Sequence, residues 1–306
     1  MWATKKFHVR HLEMRQLYWL IRRNFVKSGR AIWPSVVLDV ALLQGASFIV
    51  GAIQGTDWGL SDVPANFTMT FLVLSVLSNI THLRTFTTFR DIQRRERISG
   101  VSILAEFLSS NLTDLVWIFL SPAIYLATYW VLVLPRSSFL NLYLIGVLIC
   151  WWSAGLSYVV AKSLIPPQAQ LVSTVILTLL LGAFLHGLSP TIRSARDTPS
   201  HYLEVVLGVS SSRWAMEAAT IEEFKHYHDV KINEVIMIYH DIGLCNMDRR
   251  IPDDENDDCD HYFIQACLVI FGMGMFLRFH AFAESFFGED LLEVFEGMGD
   301  CCVVLV

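Results

Sequence analysis

The sequence predicts an all-α membrane protein with six transmembrane helices, an amphipathic N-terminal segment and a long extracytoplasmic loop before the last helix. Three observations carry that prediction. Of 306 residues, 54% are hydrophobic and only 17% charged, against about 25% charged in soluble domains. Six segments approach the ~20 apolar residues that cross a hydrocarbon core, where unpaired backbone groups find no water. Lysine and arginine fall almost entirely in two of the connections, the asymmetry that sets membrane orientation.

The spans are expected at 32–53, 67–83, 112–134, 139–161, 168–188 and 261–277, the last with room to continue past Arg278 toward Phe287. Residues 1–31 hold eight basic residues, Lys5 to Arg30, and the connection after the second span holds five: Arg84, Arg90, Arg94, Arg95 and Arg97. No Lys or Arg lies between the first two spans, and only Arg136 and Lys162 lie in the two later short connections. The amino terminus is therefore expected in the cytoplasm. Six spans return the carboxyl terminus and the segment 284–306 to the same side.

Residues 15–30 (RQLYWLIRRNFVKSGR) gather Arg15, Arg22, Arg23, Lys27 and Arg30 on one helical face and Leu17, Tyr18, Leu20, Ile21 and Phe25 on the other. Such a helix suits an anionic inner leaflet. Residues 89–100 (FRDIQRRERISG) form a polar, glycine-closed stretch that either docks a cytosolic partner or simply sets topology. The segment 189–260 carries 15 acidic and seven basic residues, with a solvated cluster at Asp253, Asp254, Glu255, Asp257, Asp258 and Asp260. Within it, residues 202–219 read as short helices folded back against the membrane surface. Cys245 and Cys259 share this oxidising side and are candidates for a disulfide. Of the glycosylation sequons at Asn66, Asn79 and Asn111, only Asn66 falls outside in this topology, and it abuts a span.

Ionisable groups inside spans are costly and usually face a partner or a cavity. Asp39 and Gln44 lie in the first span, His82 ends the second, Asp114 opens the third and His186 closes the fifth. Asp39, the deepest, is expected to be paired, and Asp114 and His186 to be solvated near the interfaces. His226, His228 and His240 have poor ligand spacing, and no metal site is expected. Cys301 and Cys302 lack a prenylation box and leave palmitoylation as the one open lipid modification. The net charge of −6 argues against a nucleic-acid partner. The sequence contains neither a G-x-x-x-x-G-K-[ST] phosphate loop nor a nucleophile motif, so no catalytic residue is expected.

The stretch RERISGVSILAEFLSSNLTDLVWIFLSPAIYL resembles the transmembrane domain of ABC transporters of subfamily G, the white/brown-complex half-transporters, in their plant-type branch. The likeness includes 83–86 (LRTF), 95–100, 134–139 (LPRSSF), 166–171 and Arg213-Trp214-Ala215-Met216-Glu217-Ala218, and it runs over residues 12–283. It implies an ABC type-2 exporter-like fold in which residues 15–30 are the connecting helix and 91–99 the coupling helix. Asp91, Arg94, Arg95, Glu96 and Arg97 would then meet a nucleotide-binding domain, with Glu96 in the position of the family's glutamate. Asp39 takes the family's acidic position early in the first span, and the second and fifth spans would line a cavity at a dimer interface. Phe184 and Leu185 would take the place of an apolar plug. Glu106 and Ser110 depart from the family's tyrosine and lysine, and residues 284–306 have no counterpart.

The resemblance implies one membrane half of an exporter of lipophilic or amphipathic substrates, located in the plasma membrane rather than an internal one. ATP and Mg would reside on a nucleotide-binding domain supplied in cis or in trans, and a second transmembrane half would complete a homodimer or heterodimer among membrane lipids. The alternative is a transport-incompetent interaction protein, a truncated paralogue that pairs with full-length transporters.

Overall fold

The structure is a computed structural model that describes residues 2–87, 95–96, 99–163, 166–198, 201–245 and 258–303. Side chains at 2–13, 27–35, 85, 167, 228–233, 258, 260 and 286–303 are not among those described. Among the described residues there is no β-strand. Helix α1 runs Trp2–Gln54 without interruption. The amphipathic segment and the first span, expected as two elements, are thus one helix of 53 residues.

Helix α2 is Val63–Thr87, α3 Ile103–Val133 and α4 Phe139–Lys162. Helix α5 is Pro167–Leu179, extended by a π-turn over Leu180–Phe184. Four shorter helices follow: α6 Ile192–Asp197, α7 Tyr202–Gly208, α8 Ser211–Phe224 and α9 His228–Ile242. Helix α10, Asp258–Val303, is the last described element. Among the described residues, five helices are long and apolar enough to cross a membrane, in the windows 36–54, 60–84, 103–133, 139–162 and 261–285. The sixth apolar helix, Gln168–Phe184, is shorter. The expected fifth span therefore stops at Phe184 rather than at 188, because the π-turn ends it and a turn at Gly187 (φ +84°) redirects the chain.

Small polar side chains hold the bundle together where lipid supplies no hydrophobic drive between helices. On α2, Asn79 donates to Thr178 Oγ1 at 2.8 Å and accepts from Ser157 Oγ at 2.8 Å, which joins α5 and α4 through one amide. Ser75 and Ser153 add a second α2–α4 hydrogen bond at 3.0 Å. The α4–α10 crossing uses glycine: a Cβ on Gly155 would stand 3.0 Å from the Gly274 carbonyl, and one on Gly274 would stand 2.4 Å from the Trp151 ring. Tyr129 Oη donates to Gln54 Oε1 at 2.8 Å, and Ser47 Oγ to the Tyr125 carbonyl at 2.6 Å, fastening α1 to α3.

The segment 189–260 departs most from expectation. Its described residues are largely helical, and α8 is enclosed by the bundle. All of its residues except Trp214 are buried, packed among α2, α4 and α10. Cys245 and Cys259 form a disulfide with Cα atoms 5.5 Å apart, tying the end of α9 to the start of α10. Of the acidic cluster, residues 253–257 lie outside the described residues. Helix α10 passes through residue 284 without a break, where a separate segment was expected to begin.

Candidate coupling and transport site

At the end of the bundle where α2 gives way to α3, the polar part of α1 meets the segment that precedes α3. Arg23 forms an ion pair and hydrogen bond with Glu96. One residue on, Asn24 Nδ2 donates to Ser109 Oγ at 3.2 Å. The amphipathic half of α1 is thereby tethered both to the short segment and to α3. Both partners of the Arg23–Glu96 pair are partly buried, so separating the two charges would carry a penalty. Arg95 is exposed, while Asp91, Arg94 and Arg97 lie outside the described residues. Glu106, buried at 3% exposure, lies 4.0 Å from Lys162 at the end of α4.

Deeper in the bundle, Arg84 of α2 pairs with Asp39 of α1. Gln44 behaves differently: it sits on the exposed face of α1, among Val37, Leu38, Leu42, Phe48 and Ile49. Asp114 corrects the expectation of a solvated interfacial carboxylate. It is 5% exposed and bonds to His82 Nδ1 at 2.8 Å, with His82 fully buried. One turn away, Asn111 Oδ1 accepts from Arg278 Nε at 3.1 Å. Arg278 further donates to the carbonyls of Trp151 (2.7 Å) and Gly274 (3.1 Å), and its guanidinium lies 3.4 Å from the Trp151 ring centroid. His82, Asp114, Asn111 and Arg278 therefore bring ionisable groups of α2, α3 and α10 into one buried polar layer. Sequence reading treated these residues one at a time. The usable signal was the i, i+3 spacing of Asn111 and Asp114, which places both on one face of α3.

At the opposite end, α8 supplies three buried glutamates. Glu223 accepts backbone N–H bonds from Arg136 (2.9 Å) and Ser137 (2.8 Å), and Glu222 accepts from Asn141 Nδ2 at 2.6 Å. Glu217 pairs with Arg213 at 3.2 Å and accepts from the Cys245 N–H at 3.3 Å. Arg213 is itself buried, with its guanidinium 3.8 Å from the Trp214 ring, and burial pulls its pKa down while Glu217 opposes the shift. The Arg213-Trp214-x-x-Glu217 pattern is thus an internal clamp. It fixes α8 to the disulfide corner.

The face formed by α5 and its π-turn remains open: Leu171, Val172, Ile176, Leu180 and Phe184 are exposed, Phe184 by 65%. Leu185 is half-buried just beyond the π-turn. Polar residues of α5, namely Gln170, Thr174 and Thr178, point the other way and are buried. Such a helix presents an apolar surface on one side and a satisfied polar seam on the other. Burial lowers the pKa of His186, whose Nδ1 accepts from the Leu188 N–H at 3.0 Å. His240 Nδ1 accepts from Arg193 Nη1 at 2.7 Å, and among the described residues no cluster of three or more His, Cys, Asp or Glu could hold a metal ion.

A family model described as ABC-2 type transporter matches residues 14–283. The chain is 25% identical over 252 residues to putative white-brown complex homolog protein 30 of Arabidopsis thaliana, covering 80% of this chain and 21% of that protein. It is 28% identical over 251 residues to ABC transporter G family member 25 of Oryza sativa subsp. japonica, covering 80% and 22%. With ABC transporter G family member 28 of Arabidopsis thaliana the identity is 26% over 164 residues, covering 54% and 14%. The chain spans about a fifth of the length of the first two of these relatives.

Proposed function

The chain belongs to the ABC-2 type transporter family, and from that premise we propose that it is the membrane-spanning half of an ATP-driven exporter of lipophilic or amphipathic substrates. The observation that carries this reading is the Arg23–Glu96 pair. It links the helix lying along the bundle's charged end to the segment 91–99, where a nucleotide-binding domain would push. Movement there would reach the membrane through α1, which continues unbroken to Gln54, and through the Asp39–Arg84 pair. Rigid-body motion of packed helices is a standard way to convert such a push into a change of access.

The sequence has no phosphate loop, so ATP and Mg would be held by a nucleotide-binding domain in cis or in trans. The open apolar face of α5 suits the wall of a cavity shared with a second transmembrane half, as homodimer or heterodimer, with Phe184 and Leu185 as its gate. Both termini would face the cytoplasm, where the eight basic residues of 1–31 meet anionic lipid, in the plasma membrane.

The test is a pull-down of the chain from its native membrane followed by an ATPase assay, with wild-type chain and Glu96→Ala. Co-purification of a nucleotide-binding subunit whose substrate-stimulated ATPase is lost in the variant supports the reading. An eluate without ATPase overturns it.

A further inference from the structure

The connection after α1 and the corner between α3 and α4 enclose a cleft of about 340 Å³ at the disulfide end of the bundle. Its lining includes Asp57, Trp58, Leu60, Pro135, Arg136 and Tyr227. The volume falls in the range of small-ligand pockets, and nothing in the coupling layer or the α5 face uses it. The floor is apolar and fixed, since Leu60 and Val133 are each 2% exposed. The charges on it are of both signs.

Arg136 is exposed and its side chain has no carboxylate partner among the described residues; its guanidinium stacks 4.1 Å from the Tyr227 ring centroid. Stacking fixes the plane of the guanidinium and leaves its in-plane N–H donors for an oxyanion, the geometry that favours bidentate phosphate recognition. Glu223 also lines the cleft, but its two oxygens are occupied by the backbone N–H groups of Arg136 and Ser137. Asp57, from the other connection, is exposed and carries no hydrogen bond or ion pair among the described residues. Beside it stands the half-buried indole of Trp58. A carboxylate next to an aromatic ring is what an ammonium group requires.

Position narrows the occupant further. Residues 56–60 and 133–136 lie where the spans 36–54, 60–84, 103–133 and 139–162 begin or end, at the depth of lipid head groups. Three side chains at the neighbouring helix ends are bare: Ile53 at 77%, Val131 at 71% and Leu134 at 64% exposure. They would offer acyl chains an apolar path away from the cleft.

We infer that this cleft binds the zwitterionic head group of a phospholipid from the adjacent leaflet, with phosphate on Arg136 and ammonium toward Asp57 and Trp58. The assignment is independent of the export reading. It concerns a lipid held at the rim of the bundle, not cargo on the α5 face.

The test is native mass spectrometry of the full 306-residue chain in detergent, titrated separately with dihexanoylphosphatidylcholine and dihexanoylphosphatidylglycerol, with free phosphocholine as competitor. The expected result is binding of the choline lipid about tenfold tighter than the glycerol lipid. Arg136→Ala should weaken both lipids about tenfold, Arg136→Lys should recover part of the loss, and Asp57→Asn should erase the preference for choline while leaving the glycerol lipid unchanged. Retention of the Cys245–Cys259 bridge and of the thermal transition certifies each variant as folded. Choline-lipid affinity within twofold of wild type in folded Arg136→Ala and Asp57→Asn overturns the site. Competition by free phosphocholine at concentrations equal to the lipid overturns the lipid as its occupant.

Discussion

Arg278 donates to the backbone carbonyl of Trp151 at 2.7 Å while its guanidinium lies 3.4 Å from the centroid of that residue's indole. One side chain of α10 thus grips both the backbone and the ring of a single residue on α4. Replacement by Leu strips Asn111 Oδ1 of its donor in a partly buried site, which costs on the order of 1 kcal/mol. Arg278→Lys keeps the charge but loses the fork and should fall between the two. Thermal unfolding in detergent orders the three proteins.

The His82–Asp114 bond is fully enclosed, and removing one partner leaves the other buried alone. Asp114→Leu should destabilise by roughly 2 kcal/mol, the range for leaving a buried hydrogen-bonding group unmatched. Asp114→Asn preserves an acceptor for the ring and should lose less than half as much. Equal losses in the two variants would show that the layer does not depend on this hydrogen bond.

Reduction of the Cys245–Cys259 bridge releases a closed loop with a sequence separation of 14 residues. The loop-entropy account assigns about 3 kcal/mol to a closure of that size. Cys245→Ser should lower the thermal midpoint in detergent, and reduction of the wild type should lower it to the same value.

His186 gives the molecule a pH-dependent corner. Burial depresses its folded pKa below the ordinary 6.5, so the folded state favours the neutral ring that accepts the Leu188 N–H. The unfolded segment binds more protons in that window, so stability here is present above about pH 6.5 and declines as pH falls toward the lowered value. Hydrogen exchange at residues 185–191 should be faster at pH 5 than at pH 7.5. His186→Gln should flatten that difference.

Much of this fold was legible because lipid allows so few solutions. A run such as 139–161, apolar on all sides, had to be a buried helix, and α4 occupies Phe139–Lys162. The end of α5 was not legible. The apolar run to Leu185 continues past the π-turn, and hydropathy does not register a change of backbone hydrogen-bonding pattern. The enclosure of α8 was not legible for a related reason: Glu217, Glu222 and Glu223 are charged letters, and in the structure each is met by a designated partner inside the molecule. Partnering depends on distant segments, among them the corner at 136–137 and the turn at 245, which no local window contains. Asp39 was legible as a residue needing a counter-charge, whereas its partner Arg84 had been read for orientation and as part of the 83–86 stretch, never as a counter-charge.

Glu223 receives its two hydrogen bonds from consecutive backbone amides, Arg136 and Ser137, directly after Leu134 turns the chain at φ +53°. Backbone amides are indifferent to side-chain identity but strictly sensitive to chain length. For holding this carboxylate any residue but proline serves at 136 and 137, whatever else the Arg136 side chain binds, while a single inserted or deleted residue between 134 and 138 would aim the amides elsewhere. The corner should record its history as substitutions without gaps.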